Sequence, residues 1–161
     1  MTPDLVSEAT ALLSEYRERG LKLATAESCT GGLIGATLTA IGGSSDVFER
    51  GFITYSNEAK TEMLGVSAVL IETEGAVSEA VARAMAEGAL SRSRADVAIS
   101  VTGVAGPSGG SVEKPVGLVW FGLAGRGRAT RTDHHVFPGD RTGIRLAAAT
   151  HAFAMFRAAG P

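Results

Sequence analysis

The sequence contains a single cysteine, Cys29, among its 161 residues. An internal disulfide is therefore excluded, and with it a small secreted fold held together by disulfides. The N-terminus lacks the cationic and apolar stretches of a secretory signal, and no apolar run approaches the roughly 20 residues that a bilayer-spanning helix needs. We therefore expect a cytoplasmic protein without a membrane partner.

An excess of positive charge is also missing, since the formal net charge is −2 and the isoelectric point is about 5.9. Binding to a nucleic-acid backbone needs a basic surface, so nucleic acid is not an expected partner. Apolar residues make up 45% of the chain and charged residues 20%, values that are typical of a globular protein. The length suits one domain over residues 1–161, and it leaves a homo-oligomer open.

Glycine is the component present in excess. Twenty-one residues are glycine, roughly twice the usual share of about 7%. They cluster at 31–32, 42–43, 103–110 and 122–127 rather than spreading evenly. Such clusters indicate places where the backbone turns sharply or approaches a ligand closely.

Hydrophobic periodicity predicts alternating helices and strands. The predicted helices are 3–19, 31–40, a short helix containing Lys60, 67–74, one capped by Ser78, and one from Asp140 to about residue 158. The predicted strands are 21–26, 51–56, 96–101, 116–124 and 128–137. Early strands separated by helices should be parallel, whereas the last two should form an antiparallel hairpin with 128–137 at an edge. The pattern indicates an α/β fold whose mixed sheet is covered by helices on both faces.

The segment 26–32 follows a predicted strand and opens a predicted helix. Ligands collect at this end of the strands in open α/β sheets, and a helix N-terminus favours an anion. Ser28 is therefore a candidate nucleophile with oxyanion donors beside it. Substrate contacts in this turn are predicted at Thr30, Gly31 and Gly32. Two alternatives stay open: Ser28 or Thr30 only caps the helix, or Cys29 is the nucleophile.

Lys60 lies in the first turn of another predicted helix, shortly after the strand 51–56. A cation there opposes the helix dipole, and burial would lower the pKa of the amine further. Both effects favour the neutral amine that a general base must be. The alternative is a solvated surface lysine.

Two later segments suit a phosphate or a carboxylate. The glycine-rich loop in 100–110 can cradle an anion with its backbone N–H groups, and Gly106 is a candidate contact there. It is not a Walker A loop, because it lacks the Gly-Lys-Ser or Gly-Lys-Thr ending. Arg141 lies in the first turn of the last helix, where an arginine makes a good anion clamp. The alternatives are Arg145 in that role, or a surface Arg141 paired with Asp140.

The sequence predicts no metal site. The three histidines, His134, His135 and His151, show no ligand spacing with acidic or cysteine partners. Neighbouring residues on a strand also point to opposite faces, so His134 and His135 cannot bind one ion together. We expect the chemistry at Ser28 to need neither a metal nor an organic cofactor.

Together these segments resemble the C-terminal domain of the CinA family of competence/damage-inducible proteins. The motifs that carry the resemblance are AESCTGG (26–32), IGGSS (41–45), FERGFITYSNEAK (48–60), GAVSE (75–79), SVTGVAGPSGG (100–110), KPVGLVW (114–120) and FPGDR (137–141). The resemblance implies a three-layer α/β/α sandwich around a mixed, mostly parallel sheet of five to six strands. Full-length members carry a preceding domain, so the chain is expected to be the stand-alone form.

The resemblance also implies an activity, the hydrolysis of the carboxamide of nicotinamide mononucleotide to nicotinate mononucleotide and ammonia in pyridine nucleotide recycling. It implies Ser28 as the nucleophile, Lys60 as its base and Tyr55 as an assisting group. The further pocket positions that it implies are Ser45, Thr102, Gly103 and Arg141. Two other functions stay open: a non-catalytic domain that binds a pyridine nucleotide or another phosphorylated ligand, and an interaction module for competence or DNA-damage proteins.

Overall fold

The computed structural model describes residues 1–159. Its strands are Leu23–Glu27 (β1), Phe48–Ile53 (β2), Val97–Gly103 (β3), Leu118–Gly125 (β4) and Arg131–Val136 (β5). Its helices are Pro3–Arg19 (α1), Leu33–Thr39 (α2), Asn57–Leu64 (α3), Ala68–Glu74 (α4), Glu79–Ser91 (α5) and Arg141–Ala158 (α6), with one 3₁₀ turn at Ser44–Asp46. Within this part of the chain, no helix has the length and apolar character to cross a bilayer.

The five strands form one mixed sheet in the order β2-β1-β3-β4-β5. β1 pairs in parallel with β2 and with β3, whereas β4 is antiparallel to both of its neighbours. Four strands therefore run in one direction and β4 runs against them. The predicted mixed, mostly parallel sheet and its antiparallel β4–β5 hairpin are confirmed, and β5 forms an edge as expected.

Helices cover both faces of the sheet. α1, α2 and α6 share one core, in which Leu12, Phe121 and Phe153 are completely buried. α3, α4 and α5 share a smaller core on the other face, built around Met85 and the small strand residue Ala98. The molecule is thus the predicted three-layer α/β/α sandwich.

α5 and the segment before it lie very close to the sheet. A Cβ at Gly122 of β4 would collide with the carbonyl oxygen of Ala82, and the same oxygen accepts a 2.5 Å hydrogen bond from the Ser100 hydroxyl. Glycine in the middle of a strand is typical of such an approach. The hydroxyl of Thr102 also donates to the carbonyl of Ala76 over 2.9 Å, so the segment before α5 lies over the carboxyl end of β3.

β2 occupies Phe48–Ile53 rather than the predicted 51–56. Thr54 leaves the sheet after a last backbone hydrogen bond to the carbonyl of Glu27 (2.9 Å). Two residues later, the Ser56 hydroxyl accepts the N–H of Ala59 and caps α3. The cap therefore ends the strand before Tyr55, although the β propensity of Tyr55 favours its continuation.

Candidate active site

Ser28 lies in the turn that joins β1 to α2, and its side chain is largely buried. Its N–H donates a 2.9 Å hydrogen bond to the carbonyl of Val101, which fixes the start of the turn against β3. Its Oγ lies 3.1 Å from the Nζ of Lys60. The turn therefore presents the hydroxyl to a specific amine, at a distance that suits proton transfer.

The start of α2 is capped from β1 and not from the turn. Its N-cap residue, Gly32, makes no side-chain cap. The buried carboxylate of Glu27 instead accepts the N–H groups of Ile34 (2.9 Å) and Gly35 (3.0 Å). The interpretation of Ser28 or Thr30 as a mere helix cap is therefore wrong, because Glu27 satisfies these N–H groups.

Lys60 is almost completely buried, with 1% of its surface exposed. Besides its contact with Ser28, its Nζ donates a 2.9 Å hydrogen bond to the carbonyl of Thr54. Among residues 1–159, no carboxylate forms an ion pair with it. Desolvation by burial lowers the pKa of the Lys60 ammonium, since the protein interior disfavours the charged form. The alternative of a solvated surface lysine is excluded.

Cys29 follows Ser28 and is buried as well. Desolvation raises the pKa of its thiol to about 12. A thiol attacks as the thiolate, and at neutral pH this sulfur carries its proton. The structure therefore disfavours Cys29 as the nucleophile.

A cavity of about 260 Å³ opens beside Ser28 and Lys60. The other predicted site residues in its wall are Tyr55, Thr102, Gly103 and Arg141. The residues that complete the wall are Cys29, Asn57, Ala76, Val77 and Ala105. The apolar residues Ala76 and Val77 were not among the predicted site residues, because they carry no reactive group. The GAVSE motif at 75–79 was the only indication of them in the sequence.

Arg141 closes the cavity on the side of α6. Its guanidinium donates to the carbonyl of Gly106 (2.7 Å) and to the hydroxyl of Tyr55 (3.0 Å). It is not paired with Asp140, whose carboxylate caps α6 by accepting the N–H of Gly143 (2.8 Å). Gly106 therefore lies outside the cavity wall, and its carbonyl oxygen orients the guanidinium of Arg141.

Arg145 lies one turn further along α6 and contacts the backbone of the turn that contains Ser28. Its guanidinium donates to the carbonyls of Cys29 (3.1 Å) and Thr30 (2.8 Å). Arg145 therefore donates its hydrogen bonds to the backbone that follows Ser28. Of the two candidate anion clamps, Arg141 is the one in the cavity wall.

Besides Gly106, four further predicted contacts are not brought to the cavity wall. Thr30 is fully buried, the N–H of Gly31 donates back to the carbonyl of Ser28 (3.0 Å), and a Cβ at Gly32 would lie 2.9 Å from Ile53. These three residues shape the turn. Ser45 precedes β2, which is parallel to β1, so it lies at the opposite end of the sheet from Ser28.

A larger groove of about 450 Å³ lies between α3 and α4. Its wall carries the carboxylates of Glu58, Glu62 and Glu72, and no cationic side chain lines it among residues 1–159. A phosphorylated ligand would meet only like charge there. The cavity at Ser28, with Lys60 and Arg141, is the better place for an anionic substrate.

Comparison with known proteins places these features in a family. The family model described as CinA C-terminal domain matches residues 6–159. The chain is 56% identical over 133 residues to the nicotinamide-nucleotide amidohydrolase PncC of Enterobacter agglomerans, covering 83% of this chain and 81% of that one. It is 51% identical to a CinA-like protein of Akkermansia muciniphila, but there 96% of this chain spans only 37% of the relative.

A solved structure shows the same fold. The competence/damage inducible protein CihA from Agrobacterium tumefaciens superposes with a TM-score of 0.95 at 47% sequence identity, over 98% of this chain and 96% of that one.

Proposed function

Since the chain belongs to the family of the CinA C-terminal domain, we propose that it hydrolyses the carboxamide of nicotinamide mononucleotide to nicotinate mononucleotide and ammonia. The observation that carries the proposal is the 3.1 Å contact between Ser28 Oγ and Lys60 Nζ in the wall of a cavity. The similarity to the amidohydrolase of Enterobacter agglomerans supports the choice of substrate. The reaction would recycle a pyridine nucleotide.

The first step is the activation of Ser28. Neutral Lys60 accepts the hydroxyl proton, and Ser28 Oγ attacks the carboxamide carbon to form a tetrahedral intermediate. The carbonyl of Thr54 then accepts a hydrogen bond from the new ammonium, as it does in the structure. Because no described residue supplies a carboxylate to the cavity wall, the ammonium is not strongly stabilised and can give its proton up again.

The oxyanion of the intermediate needs N–H donors. Several N–H groups at the start of α2 are already engaged. Gly31 donates to the carbonyl of Ser28 and Leu33 to that of Thr30, and the next two helical N–H groups donate to the carboxylate of Glu27. Thr102 and Gly103, at the carboxyl end of β3, line the cavity instead. We therefore assign oxyanion stabilisation to this end of β3.

The second half of the reaction reverses the proton transfer. The Lys60 ammonium protonates the leaving nitrogen, the carbon–nitrogen bond breaks, and ammonia leaves an acyl-enzyme on Ser28. Lys60, again neutral, takes a proton from a water molecule that attacks the ester. The ester bond breaks and Ser28 Oγ recovers the proton. The new carboxyl group gives its own proton to Lys60, and nicotinate mononucleotide is released.

The remaining wall orients the substrate. Arg141 offers a planar, permanently charged donor to the phosphate, and Tyr55 beside it is exposed and offers a hydroxyl. Ala76 and Val77 form an apolar patch against which the pyridine ring packs. The positive and apolar parts of the wall thus match the two ends of the nucleotide.

Ammonia release from nicotinamide mononucleotide tests the proposal. The wild-type chain should release one ammonia per nicotinate mononucleotide, and Ser28→Ala should reduce turnover to the background rate while it still binds the substrate in calorimetry. Ser45→Ala, at the far end of the sheet, is the matched control and should keep wild-type turnover. Substrate binding without ammonia release in the wild-type chain would indicate a non-catalytic binding domain instead.

A further inference from the structure

Three side chains from two different elements meet at the edge strand of the sheet. Asp133 and His135 lie on β5, and His151 lies on α6. Each offers one ligand atom, and these atoms all lie within 4.8 Å of one another. No local sequence pattern indicates this cluster, because His151 joins it only through the packing of α6 on the sheet.

The spacing of the ligand atoms suits a metal ion. The Oδ2 of Asp133 lies 3.3 Å from Nε2 of His135 and 2.9 Å from Nε2 of His151. In a tetrahedral zinc site with bonds of about 2.0–2.1 Å, neighbouring ligand atoms are about 3.3 Å apart. The separation between Asp133 and His135 already has this value, and that between Asp133 and His151 needs to open by a few tenths of an ångström. The ligand atoms of the two histidines lie within 4.8 Å of each other, and the ion would draw them to the same spacing.

The surrounding residues hold these side chains in place. The other carboxylate oxygen of Asp133 accepts the backbone N–H of His134 (2.8 Å), which turns Oδ2 towards the imidazoles. Phe137 stacks on the His135 ring at 5.4 Å, and Phe121 packs against the His151 ring at 4.6 Å. Such outer contacts fix the orientation of metal ligands.

We propose that Asp133, His135 and His151 bind a divalent transition-metal ion of the zinc type. Two imidazoles and one carboxylate form a ligand set that suits zinc, nickel or copper rather than magnesium or calcium. Three protein ligands leave a fourth position for water, and nearly half of the His135 side chain is exposed, so an ion can enter from solvent. The ion links the edge strand β5 to α6 and takes no part in the chemistry at Ser28.

Calorimetric titration with zinc chloride tests the site, with the full chain treated with a chelator and carrying no polyhistidine tag. We expect one zinc ion per chain, and a melting temperature that rises by about 5–10 °C at a zinc concentration 100 times the Kd. Cobalt(II) bound at the site should give the visible absorption bands that are typical of four- or five-coordinate cobalt. Added zinc should displace the cobalt and abolish these bands. The readouts do not involve turnover, so they are independent of the proposed deamidation.

Two variants and a matched control locate the ion. His135→Ala and His151→Ala should each weaken zinc binding at least about 100-fold, since loss of an outer-shell partner alone costs about 10–100-fold. His134→Ala is the control, because His134 is adjacent on β5 but stacks on Trp120 at the other face (4.3 Å). His135→Gln, at an exposed position, covers the case in which an alanine variant fails to fold. No zinc binding by the wild-type chain, or equal binding by all variants, would overturn the proposal.

Discussion

The guanidinium of Arg141 donates a 3.0 Å hydrogen bond to the hydroxyl of Tyr55, and this contact joins the start of α6 to the loop after β2 across the cavity. The two residues are 86 positions apart in the sequence. They meet because α6 begins after the carboxyl end of β5, and β5 and β2 run in the same direction. Both residues therefore lie at the end of the sheet where these strands terminate. The contact places a permanent positive charge at the wall of the cavity that holds Ser28 and Lys60.

Replacing Arg141 should weaken substrate binding more than it slows the chemical step. Arg141→Ala removes a charge-assisted contact to the phosphate, which corresponds to an increase in KM of about 10- to 100-fold. Steady-state kinetics of ammonia release measure the effect. Arg19→Ala, an exposed arginine at the end of α1, is the control and should leave KM unchanged. An unchanged KM in Arg141→Ala would exclude it as the phosphate contact.

Replacing Arg145 should have the opposite kinetic signature. This residue holds the carbonyls of Cys29 and Thr30 and lies outside the cavity wall. Arg145→Ala should lower the free energy of unfolding by about 1–3 kcal/mol and reduce kcat, because the turn that positions Ser28 loses its support. Urea unfolding and steady-state kinetics give the two quantities. A raised KM with normal kcat and stability would instead make Arg145 a substrate contact.

The proposed base predicts a specific dependence of rate on pH. Burial lowers the pKa of Lys60, so the neutral amine forms at a lower pH than for an exposed lysine, whose pKa is about 10.4. The value of kcat/KM should fall as pH decreases below the lowered pKa, with the slope of a single protonation. A rate that stays flat from neutral pH down to about pH 5 would argue against Lys60 as the base.

The same group should make stability depend on pH. Between the lowered pKa of the folded chain and about 10.4, the unfolded chain binds one more proton at this lysine. The contribution of Lys60 to the free energy of unfolding therefore rises as pH increases through this window. Lys60→Met removes the titrating group and should lose this rise as well as turnover. Parallel unfolding titrations of both chains at several pH values provide the comparison.

Cys29 should prove dispensable. Its pKa of about 12 keeps the thiol protonated near neutral pH, so iodoacetamide should not inactivate the folded chain. Cys29→Ala should keep turnover within about threefold of wild type, with the small loss arising from packing. Loss of all activity in this variant, with the fold intact by circular dichroism, would reopen the assignment of the nucleophile.

The central pair of the site was predictable from the sequence for a physical reason. Ser28 lies between a strand and a helix, and Lys60 lies in the first turn of a helix that follows a strand. Neighbouring parallel strands have their carboxyl ends on the same side of a sheet. The pairing of β1 with β2 then brings the two turns together. The sequence pattern does not show that Lys60 is buried, because helix propensity does not report solvent exposure. Burial could be expected only because a lysine that acts as a base needs a lowered pKa.

Other parts depend on packing that no local pattern encodes. Ser45 stands in a serine- and glycine-rich motif much like that of Ser28, yet it precedes its strand and so lies at the wrong end of the sheet. Ala76 and Val77 reach the cavity because Thr102 binds the backbone of the segment before α5. His151 meets β5 only because α6 packs against the sheet beside Asp133 and Phe121. Each position follows from tertiary contacts rather than from spacing.

The buried amine without an acidic neighbour has a consequence for the end of the reaction cycle. The substrate carries an uncharged amide, whereas the product carries a carboxylate that forms beside Lys60. This new anion is a counter-ion that the described residues of the cavity wall do not supply, and it favours the protonated lysine. In the proposed cycle, the chain that has just hydrolysed its acyl ester is thus held in an acid–base state that cannot start another turnover. In this cycle the departure of nicotinate mononucleotide resets the site, and the product should inhibit the reaction more strongly in mildly acidic solution.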